Sequence, residues 1–144
     1  MITAKQYFGQ KPYSEFQKRS AEYLLSVVNR LIDEAAEAGI EKEIDPDTGT
    51  QISGSKGGSG DGGFRSPDSK TGSPNSSHKQ AKGIDIYDPH GKLDDWLSSF
   101  DYDGGYGNDM LELHNLYRES PNATPGWTHL TTRPPGSKRR TFTP

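Results

Sequence analysis

Four histidines, twenty acidic side chains and no cysteine bound the chemistry open to this 144-residue chain. Without thiolates there are neither disulfides nor sulfur ligands, so a metal would have to be held by imidazole and carboxylate. His78 and Asp85 stand seven residues apart in Ser76-Ser77-His78-Lys79-Gln80-Ala81-Lys82-Gly83-Ile84-Asp85-Ile86. His129 follows far downstream in Gly126-Trp127-Thr128-His129-Leu130. Each piece alone also fits an ordinary role: a surface His near a strand, an Asp facing solvent, a His packed and hydrogen-bonded beside a Trp. His90 and His114 lie in polar surroundings and are expected to be exposed. Asp101-x-Asp103-Gly104 with Asn108 and Asp109 only faintly resembles a calcium loop, because the Glu required twelve positions along is missing.

The elements that must position these residues follow from periodicity. Phe16, Ala21, Leu24, Leu25, Val28, Leu31, Ile32 and Ala35 recur at three- and four-residue steps, which predicts an amphipathic helix over 14–38 with Ser14 as N-cap and Gly39 ending it. Residues 83–87 alternate like a short half-buried strand that carries Asp85. Residues 93–100 read as a short helix, 101–109 as a Gly-rich loop, 110–114 as a helical turn, 116–119 as a short strand and 126–132 as the last strand. No repeat is visible. The order predicts one small α+β domain over 1–144, an N-terminal helix packed on a short antiparallel sheet. Around it lie an N-terminal arm at 1–13, a flexible Gly/Ser-rich loop at 41–63 and a basic C-terminal tail at 133–144.

Composition adds constraints. Leu, Ile, Val and Phe account for 23 of the 144 residues, below the rough 20% at which disorder enters consideration. A net charge of −3 and fourteen aromatic residues argue for a folded domain with a thin core, which a bound metal or a partner surface would support. No apolar run approaches the length of a signal peptide or membrane span. Action outside the cytoplasm would therefore need a pore, lysis or incorporation into a virus particle. The tail carries four cations suited to docking or solubility, and in an acidic chain no nucleic-acid partner is expected.

Taken together, Phe64-Arg65-Ser66, Ser76-x-His78 with Asp85 and Trp127-x-His129 resemble the signature of the zinc D-alanyl-D-alanine carboxypeptidase and phage endolysin-type peptidases, whose fold is shared with the Hedgehog signalling domain. The final stretch looks most like the phage-encoded members. The resemblance implies Zn2+ held by His78, Asp85 and His129, with a fourth position for a water whose pKa falls to roughly 7. It implies a substrate in the stem peptides of bacterial peptidoglycan. It also implies that Arg65 holds a substrate carboxylate or the developing oxyanion, beside the plain alternative of a surface salt bridge.

One departure bears on activity. These peptidases place a Glu or Asp three residues before the last His as general base and acid, and here that position is Gly126. Glu119 is the first substitute, ahead of Asp103, Asp109 and Glu112, which read as solvated charges. A milder departure is Ala81 where Gly is usual. Two functions follow: a zinc D,D-carboxypeptidase or endopeptidase acting on peptidoglycan, or a structural or docking protein of a phage virion that keeps the domain without turnover. Either would act from a phage particle or from the host cytoplasm before release.

Overall fold

The computed structural model describes residues 1–54, 62–73 and 75–144. Its longest element is helix α2 (Glu15–Glu37), preceded by the short α1 (Ala4–Phe8). Ser14 starts α2 through a reciprocal cap: its hydroxyl accepts from Gln17 N at 3.1 Å and its own N–H donates to the Gln17 side chain at 2.8 Å. The helix ends where Gly39 turns to φ +96°, with Ile40 N donating back to Ala35 O at 2.8 Å and Gly39 N to Ala36 O at 3.0 Å. Its buried stripe runs Ala21, Leu24, Leu25, Val27, Val28, Leu31, Ile32 and Ala35. Phe16 is not part of that stripe and stands 63% exposed; in the first turn of the helix it lies about 140° around the axis from Ala21, the nearest buried residue of the stripe in sequence, at 3.6 residues per turn.

The stripe packs against a mixed four-stranded sheet of β1 (Gly83–Tyr87), β4 (Tyr117–Glu119), β5 (Trp127–Thr131) and β6 (Thr141–Phe142), in the order β1-β5-β4-β6. The chain is thus a small α+β domain. Three strands are antiparallel, as expected, whereas β6 runs parallel to β4 with Arg118 opposite Thr141 and Glu119 opposite Phe142. Within the basic C-terminal tail, Thr141 and Phe142 thus form an edge strand. Strand alternation sends Ile84, Ile86 and Leu130 into one core with α2, α3 (Lys92–Ser98) and α4 (Asp109–Leu113), and turns Asp85, Glu119 and His129 to the other face.

Other sequence expectations are corrected by burial and pairing. The arm at 1–13 folds onto α2: Ile2, Tyr7 and Phe8 are buried, and Asn29 bonds both the N–H and the carbonyl of Ile2. Within 41–63, Asp45 is buried and its carboxylate accepts from Asp47 N and Gly54 N, closing a tight turn. Residues 51–53 line β1, with Ser53 N donating to Asp85 O at 2.9 Å and Tyr87 N to Gln51 O at 2.8 Å. Residues 55–61, the centre of the expected flexible loop, lie outside the described residues. The expected loop at 101–109 contains a hairpin of β2 (Asp101–Tyr102) and β3 (Gly107–Asn108). The Tyr102 ring occupies the space a side chain at position 107 would need, so the glycine there permits a strand. His90 is exposed, but His114 is 6% exposed, facing Glu34 at 3.2 Å.

Arg118 fastens these parts. Its side chain is fully buried on the core side of β4 and donates to Asp94 Oδ1 and the Asp94 carbonyl at 3.0 Å each, Ser98 Oγ at 2.7 Å, Asp101 Oδ2 at 3.1 Å and Thr141 Oγ1 at 3.0 Å. A guanidinium is the side chain suited to so many fixed acceptors. Removing one partner of such a buried ion pair leaves the others uncompensated, so Arg118→Ala should cost about 3–5 kcal/mol in urea unfolding. Burial, aided by the charge of Asp88, pushes the pKa of Asp94 up to about 6 from 3.8, against the pull of Arg118. The folded chain thus binds that proton more tightly than the unfolded chain. The contribution to stability is complete below pH 3.8 and fades as pH rises through 6. Asp94→Asn should flatten this part of the unfolding midpoint's pH dependence.

Candidate metal centre

The site begins with strand register. β1 and β5 pair antiparallel so that Asp85 lies directly opposite His129, and β4 pairs on the far side of β5 with Arg118 opposite Leu130 and Tyr117 opposite Thr131. Extending the β4–β5 register by one residue sets Glu119 opposite His129, which aligns Asp85, His129 and Glu119 across three strands. His78 arrives from the turn before β1. Arg65 N donates to the His78 carbonyl at 3.2 Å, and Lys82 N to Ser77 O at 2.9 Å, so the turn is tied at both ends. Ala81 closes it at φ +58° and is fully buried. This left-handed conformation is one that glycine adopts without strain.

The three candidate ligands converge in a buried group whose ligand atoms all lie within 4.8 Å of one another, so they could hold a metal ion. His129 Nδ1 is 2.8 Å and His78 Nε2 3.3 Å from the same oxygen, Asp85 Oδ1. The opposite nitrogen of each ring meets a protein oxygen: His78 Nδ1 and the Gly63 carbonyl at 2.8 Å, His129 Nε2 and Ser77 Oγ at 3.3 Å. A carbonyl only accepts, so His78 Nδ1 carries the proton in that bond. Its Nε2 then faces Asp85 Oδ1 in one of two ways: as an N–H donor when the ring is an imidazolium, or as a lone pair that a metal ion can share with the carboxylate when the ring is neutral. Metal-bound imidazoles are commonly oriented in this way through their second nitrogen. The donor set therefore fits a divalent ion with a mixed nitrogen and oxygen shell.

Burial alone would raise the pKa of Asp85, but the charge of His78 and hydrogen bonds from both rings hold it well below the ordinary carboxylate range. Burial would lower that of His129, yet its bond to Asp85 and the charges of Asp85 and Glu119 raise it, with Arg65 pulling the other way. Arg65 reaches Asp85 Oδ2 at 3.7 Å with its side chain 11% exposed. It is therefore part of the site and not a surface pair. Tyr7 supports β1 from behind, donating its hydroxyl to the Gly83 carbonyl at 2.8 Å, and burial together with the Asp85 charge raises its pKa.

These groups open onto a cleft of 670 Å³ whose walls include Arg65, Ser77, Glu119, Trp127, Arg133 and Phe142. Asp103, Asp109 and Glu112 are exposed and are not among its lining residues. Gly126 adopts φ +96°, a conformation that L side chains rarely accept, so the backbone itself disfavours a carboxylate at the position the sequence resemblance assigns to the base. Ser77 and the Gly63 carbonyl were missed from the sequence. The available signal for Ser77 is Gly83: a Cβ there would lie 2.2 Å from Ser77 Oγ and 3.2 Å from His129 Cε1. No protein-family model matches the chain, and no curated protein or solved structure matches it.

Titration with cobalt(II), followed by its visible spectrum, should show one equivalent bound with a rise in Tm. His78→Ala, Asp85→Ala and His129→Ala should each abolish that binding. Ser77→Ala, which loosens only the orientation of His129, should weaken it by roughly 10- to 100-fold. Gly83→Ala should do so by displacing Ser77, and unchanged affinity there would show that Ser77 does not position the ring.

Proposed function

We propose that this chain is a zinc metallopeptidase of the D-alanyl-D-alanine carboxypeptidase and phage endolysin type, acting on the stem peptides of bacterial peptidoglycan. The observation that carries the reading is the convergence of two imidazole nitrogens, each oriented through its other nitrogen, on one carboxylate oxygen at the floor of an open cleft. Zinc suits two histidines and a carboxylate because it accepts both donor types and leaves a position open. When bound, it would supply Lewis-acid polarisation of a carbonyl and acidify a water to a pKa of roughly 7.

The remaining work falls to the chain's own residues. Glu119, across β5 from the ligands and lining the cleft, accepts the proton of the attacking water and returns it to the leaving amine. Arg65, beside Asp85, places a fixed positive charge where a substrate carboxylate or a developing oxyanion would sit. Trp127 and Phe142 give the cleft apolar flanks for a peptide backbone. Among the described residues no helix is long and apolar enough to cross a membrane. In this reading the protein reaches the wall from a phage virion, beside other virion proteins, or from the host cytoplasm on lysis.

Gly126 favours a second reading, in which a virion protein keeps the metal domain as a structural or wall-docking module without turnover. The two readings part on one experiment. Purified peptidoglycan incubated with the zinc-loaded protein should release peptides detectable by mass. A chelator should stop the release, and Glu119→Gln should slow it by roughly 100- to 10,000-fold, the usual worth of a general acid–base. A folded, zinc-loaded protein that releases nothing would leave the docking module as the surviving account.

A further inference from the structure

A second depression, of 390 Å³, adjoins the cleft, and the two share Arg133 and Pro134 as a common rim. It is lined by Arg19, Ser20 and Tyr23 of α2, by Lys82 just before β1 and by Thr132 after β5, with no carboxylate among its lining residues. In a chain of net charge −3, three cations facing one groove reverse the local field. Among the described residues none of Arg19, Lys82 and Arg133 makes an ion pair. Two of them are nevertheless held in place. Arg133 donates to the Asn75 carbonyl at the seam between groove and cleft, and the Lys82 ammonium lies 6.0 Å from the centre of the Phe16 ring. Thr132 N donates to the Lys82 carbonyl at 3.0 Å, fixing the backbone between them.

The exposed side of α2 makes the groove more than a scatter of charges. Phe16, Arg19, Ser20 and Tyr23 follow three- and four-residue spacing, so they share a face of the helix, away from the buried stripe. Phe16 and Tyr23 are 63% and 46% exposed. Two solvent-facing aromatics bracketing a cation offer apolar contact together with charge, as peptide-binding surfaces do.

We propose that this groove binds the acidic flank of the peptide whose scissile part occupies the cleft, so that free carboxylates beside the cut bond dock on Arg133, Lys82 and Arg19 in turn. The proposal rests on reading the cleft as a peptide site, and it adds a selectivity for acidic peptides that the metal centre does not confer. A chain leaving the cleft over Arg133 enters the groove without crossing a negatively charged lining residue.

The test compares two fluorescein-labelled peptides of equal length, one with four glutamates and one with four glutamines, binding the full chain loaded with one equivalent of zinc, by fluorescence anisotropy. The glutamate peptide should bind at least roughly fivefold more tightly, since several exposed ion pairs act together and each is individually weak. Raising salt from about 0.05 to 0.5 M should erase the difference. So should the double substitution Arg19→Glu with Lys82→Glu, with unchanged circular dichroism as the control for folding. Equal affinity for the two peptides, or a preference that survives the double substitution, would overturn the groove. Failure of the peptidase reading is distinguishable, because it appears as absent peptide release from peptidoglycan by the unmodified chain while the anisotropy assay still reports on the groove.

Discussion

The antiparallel register between β1 and β5 is the constraint on which the rest depends. It sets Asp85 against His129 on one face while Ile84 meets Leu130 on the other, so site and core are built by the same backbone bonds. A slip of one residue would turn Asp85 under α2 and send Ile84 into the cleft, exchanging every side chain between faces. Several contacts defend the register. Residues 51–53 bond the outer edge of β1, Tyr7 clasps the Gly83 carbonyl, and β4 covers the far edge of β5. The hydrophobic core thereby fixes the positions of the polar groups, and a loss of packing beneath β1 would be felt as a change in ligand geometry.

Much of this was legible in the sequence, for reasons that can be named. α2 announced itself through long apolar periodicity with Ser14 as N-cap and a glycine stop, and β1 through alternation around Asp85. His78, Asp85, His129, Arg65 and Glu119 are brought to one cleft. Less legible were elements whose stability comes from partners far along the chain. β6 has only two residues and no apolar pattern, and exists because β4 offers an edge and Arg118 reaches Thr141. The 101–109 hairpin looks like a glycine loop because one of its glycines makes room for the Tyr102 ring. Gln51, Ile52 and Ser53 are drawn out of an apparently mobile stretch by unsatisfied backbone groups on β1, a demand no local signal announces.

Electrostatics divide the molecule into two unlike interiors. On the helix side of the sheet a buried guanidinium gathers carboxylates, hydroxyls and carbonyls, and every donor finds an acceptor. On the cleft side the polarity is reversed: a buried carboxylate gathers two imidazoles and a guanidinium. The first arrangement is closed and structural. The second opens onto the cleft and could hold a metal ion.

The buried Arg118 also decides how the cleft can move. Its bond to Thr141 and the parallel pairing of β6 with β4 join the wall that carries Phe142 to α3, to the hairpin and to the centre of the sheet. That wall therefore cannot swing outward on its own, because doing so would strand a desolvated guanidinium. The molecule has a fixed jaw. The spacing between that wall and the paired strands β1 and β5 is therefore set by folding itself and does not wait on the arrival of a ligand.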